Sequence, residues 1–97
     1  MKDQPGSPLD LEAIRTEIEN IDRELVALVA RRVALARQVG AAKKSAGLPI
    51  LDPTREAHVV RRSGVLARKA GLAEEDVREI FWHLIGLSRR AQAEGAK

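Results

Sequence analysis

Leu11, Ile14, Ile18, Ile21, Leu25, Leu28, Arg32, Leu35 and Val39 follow a strict 3-4 alternation, and Arg32 alone among them is not apolar. A seam of helical period and this length is a surface built to be buried. A guanidinium keeps its charge at any ordinary pH and is costly to bury without an anion beside it. Arg32 is therefore either paired with a carboxylate of the protein or kept for an anionic ligand.

The chain has 97 residues, enough for one small domain whose single core is marginal unless subunits associate. Charged residues make up 32% and aromatics 2%, with one Trp, one Phe and no Tyr. That balance favours helices with solvated outer faces over a β-sandwich, so an all-α fold is expected. The net charge is +3, with twelve Arg against five Lys, an excess suited to planar oxyanions such as carboxylate or phosphate, and also to nucleic acid. Cysteine is absent, which excludes a disulfide framework and a thiolate metal site. The amino terminus lacks the apolar core of a secretory signal, and no apolar run approaches the ~18 residues of a membrane span. A soluble cytoplasmic protein without membrane contact is expected.

Pro5, Gly6 and Pro8 among polar neighbours make residues 1–8 read as a disordered lead-in, with the domain over 9–94. Ser7 is a candidate N-cap with Pro8 at the first helical position, and Asp10 and Glu12 suit the positive end of the helix dipole. The first helix then runs to about Ala46 without a proline, tolerating Gly40 near its end. Such a helix is about 54 Å long, far more than the ~12–13 Å radius of gyration of a domain this size. Its seam needs a second copy, and a homodimer is expected.

Gly47 to Leu51 form a short connection, and Asp52-Pro53 starts a second helix over about 53–69. Val59, Val60, Leu66 and Ala70 give it an apolar face, with Gly71 as a C-terminal stop. A third helix spans about 73–93, with Val77, Ile80, Phe81, Leu84, Ile85, Leu87 and Ala91 facing inward. Ser88 falls on that stripe and Gln92 one turn beyond it.

Lys43 lies about 20° around the first helix from Arg32 and three turns further on, with the small residues Ala36, Val39 and Gly40 between them. Asp52, Arg55 and Glu56 share the first turn of the second helix. Ser88 and Gln92 share a face of the third. The polar residues that interrupt three apolar stripes can thus line one cavity. Arg15 stands roughly 25 Å from Arg32 on another face; if two copies of the helix pair antiparallel about residue 23 or 24, Arg15 of one copy comes level with Arg32 of the other. Blander readings exist for each residue: an internal salt bridge for Arg32, solvated charges for Lys43 and Arg55, an N-cap for Asp52, a backbone-bonded hydroxyl for Ser88, exposure for Gln92. Arg31/Arg32, Arg61/Arg62 and Arg89/Arg90 read as solvated faces or a diffuse phosphate-binding surface. His58 and His83 lack a second ligand at helical spacing, so no metal is expected. Phe81 and Trp82 read as packing residues. The cavity offers cations, donors and shape but no nucleophile.

The stretch from Ile14-Arg15 through Arg32, Val39-Gly40 and Lys43, followed by Leu48-Pro49, Asp52 and Arg55-Glu56, closely resembles the all-helical (AroQ-type, type II) chorismate mutases. The similarity covers roughly residues 9–92 without a gap and ends on Ser88 and Gln92 at the family's spacing. The resemblance implies an intertwined homodimer of three-helix subunits, each with one long N-terminal helix. It implies the rearrangement of chorismate to prephenate on the way to Phe and Tyr, with no cofactor. Arg32 and Arg15 of the partner subunit would hold the substrate's carboxylates. Lys43 and Gln92 would donate to the ether oxygen, Arg55 would position the enolpyruvyl group, Asp52 and Glu56 would address the C4 hydroxyl, and Ser88 would bond a carboxylate. Val39 and Ile85 would be apolar walls. Position 51 departs from the pattern: well-known bacterial members often have Arg there, and this chain has Leu, which removes one cationic contact of the loop.

A pericyclic rearrangement needs no proton donor, covalent intermediate or metal. It needs a flexible dianion held in its reactive shape and positive charge where the breaking C–O bond gathers negative charge. Isochorismate pyruvate lyases and 4-amino-4-deoxychorismate mutases use the same fold and nearly the same cations. A basic helical dimer binding nucleic acid or a partner protein is the alternative of another class, and Arg32 in a seam counts against it. A regulatory homologue of reduced turnover is a third, and the sequence names no regulatory partner enzyme.

Overall fold

The computed structural model describes residues 10–97, so the expected lead-in at 1–8 and the Ser7 and Pro8 helix start lie outside the described residues. Three helices follow one another: α1 (Leu11–Ala46), α2 (Pro53–Lys69) and α3 (Glu74–Gly95). No strand occurs among the described residues, and no helix is long and apolar enough to cross a membrane. The described residues divide after Arg31 into two units, residues 10–31 and 32–97.

In the first unit the apolar seam is open. Leu11, Ile18, Ile21, Leu25 and Leu28 are each about half exposed, a continuous row of apolar side chains that one copy of the chain leaves in water.

In the second unit α2 packs on α3. Val59, Val60 and Ile85 are buried there, with Phe81 against them. The buried face of α2 also contains Ser63, Gly64 and Ala67, and these small side chains let α3 approach closely. The Ser63 hydroxyl is satisfied inside its own helix by donating to the Val60 carbonyl at 2.7 Å. Leu66 and Ala70, expected on this face, are exposed, because the small residues have moved the contact arc away from them. Ile80 and Trp82 are 57% and 51% exposed, against expectation. At 100° per residue both flank the arc set by Phe81, Ile85, Ser88 and Gln92 rather than lying on it.

Two glycines end helices. Gly47 (φ 69°) and Gly71 (φ 75°) have left-handed backbones that a side chain would strain. At the first, Leu48 N donates to the Lys43 carbonyl at 2.8 Å and Gly47 N to that of Lys44 at 3.1 Å. At the second, Leu72 N donates to Ala67 at 2.9 Å and Gly71 N to Arg68 at 3.1 Å. Both are Schellman closures, which satisfy the last carbonyls of a helix and turn the chain sharply. Asp52 caps α2, its Oδ1 accepting from Arg55 N at 3.0 Å, an arrangement worth about 1 kcal/mol, and Pro53 follows at the first helical position.

Gly40 is not merely tolerated. A Cβ there would lie 2.0 Å from the Gln92 carbonyl oxygen, and one at Gly95 would lie 1.9 Å from the Arg37 carbonyl oxygen. The second half of α1 and the end of α3 therefore touch backbone to backbone at two points. That contact fixes Lys43 and Gln92 with respect to each other.

Candidate active site

One pocket of about 240 Å³ is lined by Arg32, Ala36, Val39 and Lys43 from α1, by Asp52, Arg55, Glu56, Val59 and Arg62 from the start and face of α2, and by Ile85, Ser88 and Gln92 from α3. All of these lie within residues 32–97. Of the residues to which the resemblance gives a place in the site, only Arg15 is not among the lining residues. It lies on the exposed first part of α1 and pairs with Glu12 at 3.2 Å.

Each polar group is held by a specific neighbour. Lys43 Nζ donates to the Ile50 carbonyl and to Gln92 Oε1, both at 2.7 Å. An ammonium has three N–H bonds, so one remains for a ligand. Gln92, having accepted from Lys43, keeps its NH₂ as a donor. The connection between α1 and α2 is tied twice to residue 43, through its own carbonyl and through its ammonium.

Arg32 Nη1 donates to Ser88 Oγ at 2.5 Å. Ser88, expected on general grounds to bond a backbone carbonyl one turn back, instead receives this guanidinium, and its own proton is left for a further acceptor. The internal salt bridge open to Arg32 from sequence is not formed among the described residues. Burial, followed by repulsion from Arg62 and Arg55, pushes the Arg32 pKa down. A bound anion would offset both by favouring the charged guanidinium.

In sequence Arg62 reads as part of a solvated face or a diffuse phosphate-binding surface. It lines the pocket two turns beyond Arg55, and the i, i+7 spacing with Val59 between them was the signal that could have placed it. Arg89, read in the same way, reaches across from α3 to Glu56. Its Nε donates to Oε2 at 2.7 Å and its Nη2 to Oε1, and this ion pair holds the Glu56 carboxyl below the usual carboxylate range.

The pocket thus contains four cations, none in an ion pair among the described residues. Its two carboxylates are engaged, Asp52 as a helix cap and Glu56 by Arg89. Ala36, Val39, Val59 and Ile85 supply the apolar wall. Loop residue Leu51 is 55% exposed and contributes no charge. Such a cavity can bind a compact polyanion, exclude part of its water and press it into one shape, and it has donors at Lys43 and Gln92 for an oxygen that gains negative charge.

Residues 14–93 match the family described as chorismate mutase type II. The chain is similar to the chorismate mutase of Methanocaldococcus jannaschii, 34% identical over 82 residues that cover 84% of this chain and 83% of that protein. It is also similar to the T-protein of Haemophilus influenzae, 39% identical over 71 residues covering 73% of this chain and 19% of that much longer protein. The intracellular chorismate mutase of Mycobacterium tuberculosis is 34% identical over 53 residues, 55% of this chain and 50% of that one. A family match over this span, falling on a pocket lined from all three helices with unpaired cations on α1 and α2, leads to one conclusion: the chain belongs to the chorismate mutase type II family.

Proposed function

We propose that this chain is a cytoplasmic chorismate mutase, converting chorismate to prephenate by a pericyclic rearrangement within a homodimer. The observation that carries the reading is the set of pocket cations Arg32, Lys43, Arg55 and Arg62, which have no carboxylate in ion-pair contact among the described residues. Chorismate bears two carboxylates, and a pocket with four cations and two engaged acids has the complementary charge.

Arg32 and Ser88 hold one carboxylate, and Arg55 with Arg62 adds positive field along α2. The remaining N–H of Lys43 and the NH₂ of Gln92 meet the ether oxygen, whose negative charge grows as its C–O bond breaks. Because these donors are already fixed by Ile50 and by each other, little reorganisation is needed at the transition state. Glu56 accepts the hydrogen bond of the C4 hydroxyl, with Asp52 beside it at the start of α2. Val39 and Ile85 limit the conformations the substrate can adopt. An acceleration of about 10⁶ corresponds to about 8 kcal/mol of barrier lowering, shared between charge stabilisation and restriction of the substrate.

The half-exposed row from Leu11 to Leu28 is the surface a second copy covers. In an antiparallel pairing Arg15 of the partner subunit enters the pocket beside Arg32 and binds the other carboxylate. Formation of that assembly removes the apolar row from water and completes the site in one step.

The test is to incubate the protein separately with chorismate, isochorismate and 4-amino-4-deoxychorismate, following substrate loss and product identity, and to measure its mass in solution. Conversion of chorismate to prephenate by a dimer is expected. Consumption of either of the other two while chorismate persists refutes the mutase reading, and an active monomer refutes the shared site.

A further inference from the structure

Arg89 does not line the pocket, yet its guanidinium takes both oxygens of Glu56, which does. The Glu56 side chain is only 15% exposed, against 47% for Arg89. The arginine thus reaches the carboxylate from the solvent side and leaves its other lone pairs toward the cavity. Such a fork fixes a carboxylate in orientation as well as in charge. The groups facing Glu56 are Arg89 from α3, Lys43 from α1 and Asp52 at the start of α2, with Arg55 next to it in the chain.

The consequence concerns what this end of the pocket accepts. An ionised carboxylate is an acceptor only, so Glu56 asks its ligand for a donor. Its charge is already balanced by Arg89, and that of Asp52 is partly offset by the positive end of α2, where Oδ1 caps the helix. A neutral hydroxyl gains a well-aimed acceptor here. An ammonium finds too little unbalanced negative charge to offset the loss of its water, while four cations stand nearby.

We infer that Arg89 is a positioning residue which, through its fork on Glu56, makes the pocket prefer a substrate with a hydroxyl at C4 over one with an ammonium there. The inference rests on the chorismate reading. Freed from Arg89, Glu56 loses its ion-pair partner, can turn and can pair with an ammonium.

The experiment compares wild type, Arg89→Met, Arg89→Lys, Glu56→Gln and the double variant Arg89→Met/Glu56→Gln. It measures kcat/KM for chorismate and for 4-amino-4-deoxychorismate across the acid range, with circular dichroism to verify folding. Arg89→Met is expected to lower kcat/KM for chorismate and move the preference toward the amino substrate by about tenfold. Its acid limb is expected at higher pH, because Glu56 loses the partner that keeps it ionised. Arg89→Lys restores charge without the fork and should recover part of the preference. In the Glu56→Gln background Arg89→Met should change nothing further.

An unchanged preference and unchanged acid limb in folded Arg89→Met, or losses that add in the double variant, overturn the inference while leaving the mutase reading intact. A wild-type protein that consumes neither substrate overturns both.

Discussion

Replacing Gly40 by Ala adds one methyl group where α1 meets the backbone of α3. Two effects oppose each other. In a helix interior the change from Gly to Ala is worth about 0.5–1 kcal/mol of added stability. Here the new carbon starts 2.0 Å from the Gln92 carbonyl oxygen, 2.6 Å from its carbonyl carbon and 2.7 Å from its Cα. These are backbone atoms, which cannot swing aside, so the helices must part by more than about 1 Å to restore ordinary contact. Overpacking of this kind costs about 1–3 kcal/mol. The balance is a net loss of about 1 kcal/mol, or a Tm lower by about 4–8 °C. Function should suffer more than stability. Gln92 moves with its backbone, and the Lys43 to Gln92 hydrogen bond of 2.7 Å opens, so both donors proposed for the ether oxygen lose their register. A displacement of ~1 Å at such a site costs about 10²-fold in rate. Thermal melts and steady-state kinetics with chorismate measure the two effects separately. A Gly40→Ala protein that melts higher and turns over as fast as wild type would refute the close approach and the argument built on it.

Arg15→Ala and Lys43→Ala should each be nearly inactive alone, but after unfolding and refolding together they should regain about a quarter of wild-type activity, since half the dimers then carry one intact site of two; no recovery contradicts a site shared between subunits. Glu56 and Glu74 have pKa values lowered by hydrogen bonds from Arg89 and Arg68 respectively. Their contribution to stability is therefore present above the unfolded carboxylate value of about 4.5 and lost as pH falls through the lower folded values. Thermal melts should show Tm decreasing below that pH, with a smaller decrease in Glu56→Gln; an equal decrease in the variant would contradict the pairing.

Much of this architecture is legible in the sequence because it rests on local chemistry. Asp52-Pro53 starts α2 and Gly71 ends it, signals that need no tertiary information. Arg32, Lys43, Ser88 and Gln92 stand out because each interrupts an apolar stripe, and helical spacing then puts them on the faces that line the pocket. The parts that escape depend on partners across helices. Arg62 and Arg89 are indistinguishable in sequence from solvated arginines, and only the packing of α2 on α3 gives one a pocket and the other a carboxylate. Ser63, Gly64 and Ala67 form a buried face that apolar periodicity does not register, and this displaced the expected contact from Leu66. Gly40 reads as a mild helix defect until the carbonyl of Gln92 is seen against it. Ile80 and Trp82 count as core residues by type, whereas the arc actually covered within residues 32–97 leaves them exposed.

The central claim is that prearranged positive charge, rather than acid-base or covalent chemistry, drives the reaction, and Lys43→Ala measured against wild type tests it most directly. With the variant folded, the account predicts a kcat for chorismate lower by about 10²-fold or more and a much smaller change in KM, because the lost contact strengthens as the C–O bond breaks. A kcat equal to that of wild type would contradict it.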